Sequence, residues 1–557
     1  VEGTDIICPM YEHPDSIRRA LAKFKSRPFI LCEFCHSMGN ADGNFGEYMA
    51  LIDAFPNFQG GFIWDFADQA LWWPVDRKKY GVDHIWAFGG DFNDYDASDG
   101  SFNCNGIVAS DRTWHPHAYE VRYQYRNIHT RWLGDGKVEI FNENFFTDLA
   151  PYRLVWKLEA GGRVLRSGTV EKIACAPQGK VTVFLGLSGK DYLSGEDNYL
   201  TVSYVLKDAT ALQEAGEEVA YDQMKVHRAP EAAAFAKGAE KVSLEEIPGG
   251  YRFSGVRTVS GTSSSRPAAW SADIVDGILT SYLVDGRELL KEPLLPNTGR
   301  AVVENDMGAK LNRKWAVWQY PGWKAASVSR GEGDVIRTEF APVGSAVFVL
   351  EYFVLADGTL AVHEFIKDTG SLSEMPPMFR FGMRLAMGGE FSTVDFVGYG
   401  PWENYEDRRS GALFGHYVQR VEDQYHYGYV RSQESGTHTG LTSFKVLDPS
   451  GRGLAILSAD FSASVLPFSQ EQMDFTKDGT PYRPNTSNVQ EGAPLHSLSL
   501  KPLAFEGDRY NGTTWVTFES RQAGVGGINS WGRWMMEPYR IKPSSELSFW
   551  FLLQPVL

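Results

Sequence analysis

The residues best suited to catalysis stand in short polar segments that each accompany an apolar run. They are EFCHSMGN at 33–40, WDFADQ at 64–69, and GGDFND at 89–94 together with FNCNG at 102–106. In the first segment, four apolar residues lead directly into Glu33. A carboxylate at the carboxyl end of a buried strand is where parallel α/β enzymes place their chemistry, as a nucleophile or as a general acid or base. From its position alone, Glu33 is either a catalyst or a structural acid.

The elements that must position these segments alternate between strands and helices. The pattern predicts, in chain order, a strand at 5–11, a helix from His13, a strand at 29–33, a helix at 44–55 and a buried strand at 62–66. Units of about 25–30 residues are typical of right-handed parallel crossovers. Three such units cannot form a closed parallel barrel, which needs eight strands, so we expect the first 118 residues to be the end of a larger domain.

The pattern changes at about residue 120. Short alternating runs, such as those at 137–141 and 152–156, are separated by Gly, Asp and Asn and therefore predict antiparallel sandwiches. We predict four parts: parallel units over 1–118, a β-sandwich over 119–228, an Ala-rich linker at 229–240 and one large β domain over 241–557.

The composition limits the possible partners. The formal net charge of −16 argues against nucleic acid or an anionic membrane surface, since both need a basic face. No apolar run approaches the roughly 20 residues of a membrane span. Sixteen Trp and 25 Tyr provide flat rings that suit sugar recognition, although most such rings are expected in the core.

The five cysteines do not form a disulfide pattern, because their number is odd and they are thinly spread. This favours a reducing compartment, and we expect a cytoplasmic location although the compartment itself stays open. Cys32 and Cys35 form a C-x-x-C motif that could bind zinc or act in redox chemistry. Because no second pair follows, we favour two buried small side chains.

Several long motifs resemble the C-terminal half of the LacZ-type β-galactosidases of glycoside hydrolase family 2. They are ILCEFCHSMGN at 30–40, QGGFIWDFADQ at 59–69, FGGDF at 88–92, NG-x-V-x-x-DRT-x-HP at 105–116, GPWENYEDR at 400–408 and GG-x-x-SW at 526–531. The resemblance implies a multidomain fold. Its parts would be the C-terminal strands and helices of a (β/α)8 barrel over 1–118, an immunoglobulin-like β-sandwich over 119–228 and a large antiparallel β-sandwich over 241–557.

The resemblance also implies roles for individual side chains. Glu33 would be the nucleophile of a retaining glycosidase, with Tyr11 as the hydrogen-bond partner that keeps its carboxylate ionised. His36 would bind sugar hydroxyls and Trp64 would form the sugar platform. Trp531 would reach the aglycone side from a distant β domain. For Trp64 and Trp531, a place in the core is the alternative.

Metal sites are implied in the same way. The carbonyl of Phe102 and the side chain of Asn105 match sodium ligands, and Gly308 falls in a mobile loop of the family. The family's magnesium ligands have no counterpart in this chain. Two stretches depart from relatives: 302–306 reads VVEND where many relatives show P-x-D-N-D, and 93–101 also differs, so the loop conformation and secondary metal contacts are open there.

The family's acid/base glutamate is also without a counterpart. Asp65, Asp68, Asp91 and Asp94 are available carboxylates, but none lies in the matching context. We therefore expect half of a retaining active site that hydrolyses a β-galactoside such as lactose, completed by an N-terminal half on the same or a separate polypeptide, within an oligomer. The alternatives are a non-catalytic carbohydrate-binding or assembly subunit and a family 2 hydrolase of another sugar specificity.

The remaining motif that could bind a metal is His115-Pro116-His117. The intervening proline and the family match favour a structural corner over a metal pair.

Overall fold

The computed structural model describes residues 3–93, 95–228, 242–260, 265–355, 357–474, 496–506 and 509–557. The predicted linker at 229–240 and Asp94 lie outside the described residues. Within the described ranges, no helix is both long and apolar enough to cross a membrane.

The N-terminal region alternates strands and helices as predicted. Its helices are α1 (Pro14–Lys23), α2 (Phe45–Ala54), α3 (Arg77–Tyr80) and α4 (Pro116–Gln124). Its strands are β1 (Phe29–His36), β2 (Phe58–Trp64), β3 (Leu71–Pro74) and β4 (His84–Ala87). β1 and β2 pair in parallel, with Phe29 opposite Phe58 and His36 opposite Trp64, whereas β3 and β4 form an antiparallel hairpin. A buried cluster between α1, α2 and this parallel pair includes Ile17, Leu31 and Tyr48.

The predicted strand at 5–11 is present only as two isolated parallel bridges, Ile7 to Phe29 and Met10 to Glu33. Pro9 lies between them and has no N–H to give to the ladder, although its carbonyl accepts from the Cys32 N–H at 3.1 Å. The segment therefore lies beside β1 in parallel without forming a continuous strand.

Two further strand predictions need correction. β1 does not end at Glu33 but continues to His36, with irregular register between Phe29 and His36. The run at 62–66 is not buried: β2 ends at Trp64, and Phe62 is 68% exposed. In the described residues β2 pairs with β1 alone, so its other edge has no neighbouring strand.

The middle region is an antiparallel sandwich. Its strands are β5 (Ile128–Gly134), β6 (Lys137–Asn142), β7 (Tyr152–Ala160), β8 (Arg163–Val170), β9 (Lys180–Phe184), β10 (Asn198–Leu206) and β11 (Glu218–His227). One sheet has the order β5-β6-β9 and the other β11-β10-β7-β8. Residues at alternating positions, such as Ile140, Trp156 and Val202, point from both sheets into one core.

The third region opens with a meander whose order is β12-β13-β14-β15-β16. Its strands are β12 (Ser243–Ile247), β13 (Gly250–Ser260), β14 (Ser265–Val275), β15 (Ile278–Val284) and β16 (Arg287–Glu288).

A large antiparallel sheet follows, and it shares one continuous core with the meander, as Trp270 and Phe348 illustrate. Its strands are β17 (Glu292–Asn297), β18 (Ala325–Arg330), β19 (Ile336–Phe340), β20 (Ala346–Val354), β21 (Leu360–Asp368), β22 (Arg380–Met387), β23 (Thr393–Gly400), β24 (Leu413–Arg420), β25 (His438–Leu447), β26 (Gly453–Leu466), β29 (Thr514–Gln522) and β30 (Ser548–Val556). A separate hairpin before β29 consists of β27 (Phe505–Glu506) and β28 (Arg509–Tyr510). Short helices interrupt the region at α5 (Glu304–Gly308), α6 (Leu311–Lys314), α7 (Gln470–Asp474) and α8 (Lys501–Ala504).

Candidate active site

Glu33 and Tyr11 form a hydrogen-bonded pair on adjacent segments. The Tyr11 N–H donates to the backbone carbonyl of Glu33 at 2.9 Å, which places the two residues side by side. Burial and the neighbouring Glu33 carboxylate raise the pKa of Tyr11 well above its ordinary value. The phenol therefore keeps its proton and remains a hydrogen-bond donor beside a carboxylate whose side chain is only partly buried.

Tyr11 belongs to a group of four aromatic rings that come from three distant parts of the chain. Trp531 meets Tyr11 edge-on with ring centroids 4.6 Å apart and meets His36 at 5.2 Å. Phe102 lies 5.1 Å from His36 and 6.0 Å from Trp531. Trp531 remains 45% exposed, so its ring is not an ordinary core side chain. The rings of Tyr11, His36, Phe102 and Trp531 are called the aromatic cluster below.

Trp64 belongs to the same site. It stands opposite His36 on β2, and its backbone carbonyl accepts from the Ser37 N–H at 2.9 Å. Its ring is 39% exposed and lines a cavity of about 530 Å³ together with Phe102 and Asn105. The structure thus brings all seven predicted site residues together, including those at the two ends of the sequence.

Asn105 is the best candidate for a cation ligand. Its Nδ2 donates to the carbonyl of Phe102 at 3.1 Å, while its Oδ1 is buried and has no hydrogen-bond partner among the described residues. Carbonyl and amide oxygens are the donors that hard cations prefer. Across the described chain, no group of three or more His, Cys, Asp or Glu side chains is arranged to hold a metal.

The other carboxylates of the N-terminal region have different partners. Asp65 lies nearest the site; its Oδ2 accepts from Gln69 at 2.8 Å, and burial raises its pKa. Asp68 accepts from the Gly106 N–H and contacts His115 Nε2, both at 2.8 Å. Asp91 contacts His496 at 2.9 Å.

His115 and His117, which were predicted to form a structural corner, are both held by hydrogen bonds. His115 lies between Asp68 and His426, with both contacts at 2.8 Å, and His117 Nε2 contacts the carbonyl of Gly106 at 3.1 Å. These bonds tie the segment after Asn105 to the third region. Cys32 and Cys35 are free thiols, as are the other three cysteines.

The turn after β1 is held by residues of the third region that sequence reasoning missed. Asn40 is fully buried, and its Nδ2 donates to the Tyr405 hydroxyl and the Glu434 carbonyl, both at 2.8 Å. The Asn44 N–H donates to the carbonyl of Asp407 at 2.7 Å. The signal was present in the motif GPWENYEDR, whose polar residues had no assigned role.

Asp407 also holds the segment that carries Trp531. Its two carboxylate oxygens accept from the N–H groups of Val525 and Gly526 at 3.0 and 2.8 Å. A Cβ on Gly43 would lie 2.1 Å from Asp407 Oδ2, so only glycine allows the turn to approach this closely. The motifs at 30–40, 400–408 and 526–531 therefore meet in one clamp, centred on Asp407.

Helix α5 and its flank lie behind the aromatic cluster. Glu304 accepts from the hydroxyl of Ser101 at 2.8 Å and from Arg431 Nε at 2.9 Å, which links the two stretches that depart from the family pattern. Gly308 packs so closely against the C-terminal segment that a Cβ there would lie 1.7 Å from the Ser530 carbonyl oxygen.

His36 sits where these parts converge. Its Nδ1 is 2.8 Å from the hydroxyl oxygen of Ser530 and its Nε2 is 3.3 Å from Asn105 Nδ2. Burial lowers the pKa of His36 to about 4, so the ring is neutral at physiological pH.

Comparisons with known proteins match the whole arrangement in chain order. Residues 264–553 match the family model described as the beta galactosidase small chain, residues 3–130 match the TIM barrel domain of glycosyl hydrolases family 2, and residues 138–227 match domain 4 of beta-galactosidase.

Curated relatives give the same picture. A beta-galactosidase of Halalkalibacterium halodurans is 29% identical over 98% of this chain, one of Priestia megaterium is 28% identical over 100%, and beta-galactosidase BgaC of Bifidobacterium adolescentis is 30% identical over 98%. Each alignment includes 50% of the relative, so the chain spans about half the length of the curated relatives it matches.

Proposed function

Because the chain belongs to the LacZ-type β-galactosidases of glycoside hydrolase family 2, we propose that it supplies the nucleophile half of a retaining β-galactosidase. The observation that carries the proposal is the placement of Glu33 beside Tyr11, whose ring belongs to the aromatic cluster. A carboxylate, a phenol that can donate a hydrogen bond and flat rings suited to a sugar lie within one site.

The reaction would be a double displacement. The Glu33 carboxylate attacks the anomeric carbon of the galactoside, and the bond to the leaving oxygen breaks as that oxygen receives a proton from a carboxylic acid about 5–5.5 Å away. Water then attacks the glycosyl ester, the same second group takes its proton, and galactose leaves with Glu33 regenerated. The second group belongs to the part of the site that this chain does not contribute.

The remaining residues would bind and orient the sugar. Trp64 offers an exposed ring face beside the cavity, and His36 would bind a sugar hydroxyl at Nε2 in place of Asn105. Trp531, whose ring lies beside those of Tyr11 and Phe102, would contact the aglycone. Galactose would be selected partly by groups of the other half, so another family 2 sugar specificity is the nearest competing outcome.

A sodium ion would be held by the carbonyl of Phe102 and by Asn105. The buried, unpartnered Oδ1 of Asn105 supports this assignment. When bound, sodium supplies a fixed positive charge that binds a sugar hydroxyl through its lone pairs. Magnesium would serve the complete enzyme through ligands outside this chain.

The other half would cover the open face of the parallel pair. Met10, Phe62, Phe66 and Trp72 are each more than half exposed. Large apolar side chains exposed on neighbouring segments suit an interaction site. We propose that the preceding barrel strands, on the same or a separate polypeptide, pack there, and that the complete enzyme is an oligomer in the cytoplasm.

The test combines complementation with covalent trapping. The 557-residue chain is mixed with a polypeptide that carries the upstream half of a relative, and hydrolysis of a nitrophenyl β-galactoside is measured. We expect turnover only from the mixture, and a 2-fluorogalactoside should leave its sugar on the peptide that contains Glu33.

Two variants sharpen the result. Glu33→Gln should remove turnover while keeping galactoside binding, whereas Glu171→Gln, at an exposed position of the middle sandwich, should behave as the parent. Full activity of the Glu33→Gln mixture would favour the alternative of a binding or assembly subunit. Substantial turnover by the isolated chain would contradict the half-site.

A further inference from the structure

The side-chain amide of Asn305 has only one possible orientation. Its Nδ2 lies 3.0 Å from the backbone carbonyl of Val525, and its Oδ1 lies 2.7 Å from the Ser530 hydroxyl. A backbone carbonyl can only accept a hydrogen bond, so the nitrogen of the amide must face Val525. The oxygen therefore faces Ser530 and must accept.

This orientation determines what Ser530 offers to His36. A serine hydroxyl has a single hydrogen, and here it is donated to Asn305 Oδ1. Toward His36 Nδ1, at 2.8 Å, Ser530 has only lone pairs. The proton between the two side chains must therefore belong to Nδ1.

The contact on the Nε2 side of the His36 ring independently indicates the same tautomer. Asn105 Nδ2 is held by the Phe102 carbonyl at 3.1 Å, which fixes that amide with its nitrogen toward His36 Nε2 at 3.3 Å. A donor facing Nε2 requires a lone pair there. The other tautomer would place two donors against each other and leave Asn305 Oδ1 without its hydrogen bond.

Water cannot easily replace these partners. His36, Ser530, Asn305 and Asn105 are each at most 4% exposed. In a buried site an unmatched donor or acceptor is costly, so the chain of hydrogen bonds between the two backbone carbonyls admits one proton arrangement.

We propose that Ser530 and Asn305 are positioning residues that lock His36 in the neutral tautomer with its proton on Nδ1, which turns the Nε2 lone pair toward Asn105 Nδ2. The third region would thus decide which ring nitrogen of His36 accepts a hydrogen bond. A ligand hydroxyl that takes the place of Asn105 Nδ2 at Nε2 must donate its own hydrogen. Only the identity of that ligand as a sugar rests on the proposed function.

The direct test is nitrogen NMR of the full chain with deuterated background and ring-¹⁵N histidine. The His36 signals are assigned by their loss in His36→Asn. We expect a pyrrole-type signal at Nδ1 and a pyridine-type signal at Nε2. In Ser530→Ala the Nδ1 proton loses its acceptor at 2.8 Å while the longer contact with Asn105, at 3.3 Å, remains, so the Nε2–H tautomer should gain population. Ser530→Thr, which keeps the hydroxyl, should restore the parental pattern. Ser458→Ala, which removes a hydroxyl bonded to the carbonyl of Trp550 in the same region, is the matched control.

Asn305→Ala provides a second route if Ser530→Ala folds poorly, because it frees the Ser530 hydrogen to turn toward Nδ1. A pyrrole-type signal at Nε2 in the parent chain, or unchanged tautomers in both variants, overturns the proposal. In the complemented enzyme we expect KM to rise about 3- to 10-fold in Ser530→Ala with kcat less affected. If the expected NMR signals at Nδ1 and Nε2 are found while no galactoside is cleaved, the proposed tautomer is supported and the proposed function is refuted.

Discussion

Replacing Asp407 with asparagine should loosen the clamp between the turn after Glu33 and the segment that carries Trp531. The carboxylate accepts two backbone N–H groups, from Val525 and Gly526. Asparagine keeps one accepting oxygen and turns an NH2 group toward the other N–H. The side chain keeps its size, so the close approach of Gly43 is preserved and the change is confined to hydrogen bonding.

The magnitude follows from these contacts. A hydrogen bond to a charged group contributes about 1.5–3 kcal/mol, and a buried N–H left without a partner costs about 1–3 kcal/mol. Burial raises the pKa of Asp407, which means that ionising it in place is itself unfavourable and that its loss returns part of this cost. We expect local opening of the clamp to become easier by about 2–4 kcal/mol.

Hydrogen exchange measured by mass spectrometry reports this opening directly, without requiring that the whole multidomain chain unfold in one step. Peptides covering 523–531 and 40–46 should exchange about 30- to 1,000-fold faster in Asp407→Asn. Asp423→Asn is the control, because Asp423 is exposed and pairs with Arg420 at the surface, where a change below about 1 kcal/mol is expected. Exchange within threefold of the parent at both peptides would refute the clamp.

Three further changes test other parts of the fold. Burial raises the pKa of Glu364 well above its ordinary value of 4.5. The parent therefore loses stability as pH rises from 4.5 toward the folded-state pKa, by about 1.4 kcal/mol per pH unit. Glu364→Gln should melt at a higher temperature than the parent at pH 7, and equal thermal midpoints from pH 4 to 8 would contradict this. Arg380→Met leaves the carboxylates of Glu434 and Glu519 buried without their cation, so the third region should lose about 3–5 kcal/mol in urea unfolding, and an unchanged midpoint would show the pairs to be dispensable. Gly308→Ala forces α5 away from the Ser530 carbonyl, so exchange at 528–532 should quicken, and an identical exchange profile would count against that contact.

Local patterns identified the helices of the N-terminal region well. The prediction at 44–55 corresponds to α2 at Phe45–Ala54, and the helix predicted from His13 begins at Pro14 with the His13 side chain as its cap. Caps and apolar spacing act within a few residues, so the sequence shows them directly. Two of the three strand errors have clear and different causes: Pro9 interrupts a ladder, and the exposure of Phe62 depends on which elements pack against β2.

The site was predictable only in part for a related reason. Glu33 could be suggested from its place after an apolar run, but its role came from motifs and from the family. Ser530 and His36 are 494 positions apart, and no periodicity connects them. Polar residues such as Asn305 and Asp407 act by closing hydrogen bonds between regions, which depends on tertiary packing.

The aromatic cluster has a consequence for how this protein is made. Tyr11 and Trp531 touch, yet about 520 residues separate them along the chain. At about 5–20 residues per second, the ribosome would release Trp531 roughly 25–100 s after Tyr11. During that interval the segment that carries Glu33 exists without the aromatic residues that later contact it, and its apolar strands are exposed to the surroundings. Premature termination before Trp531 would therefore leave a chain in which Glu33 lies in an open site and apolar surface stays exposed. Chaperones and proteases would bind such a chain.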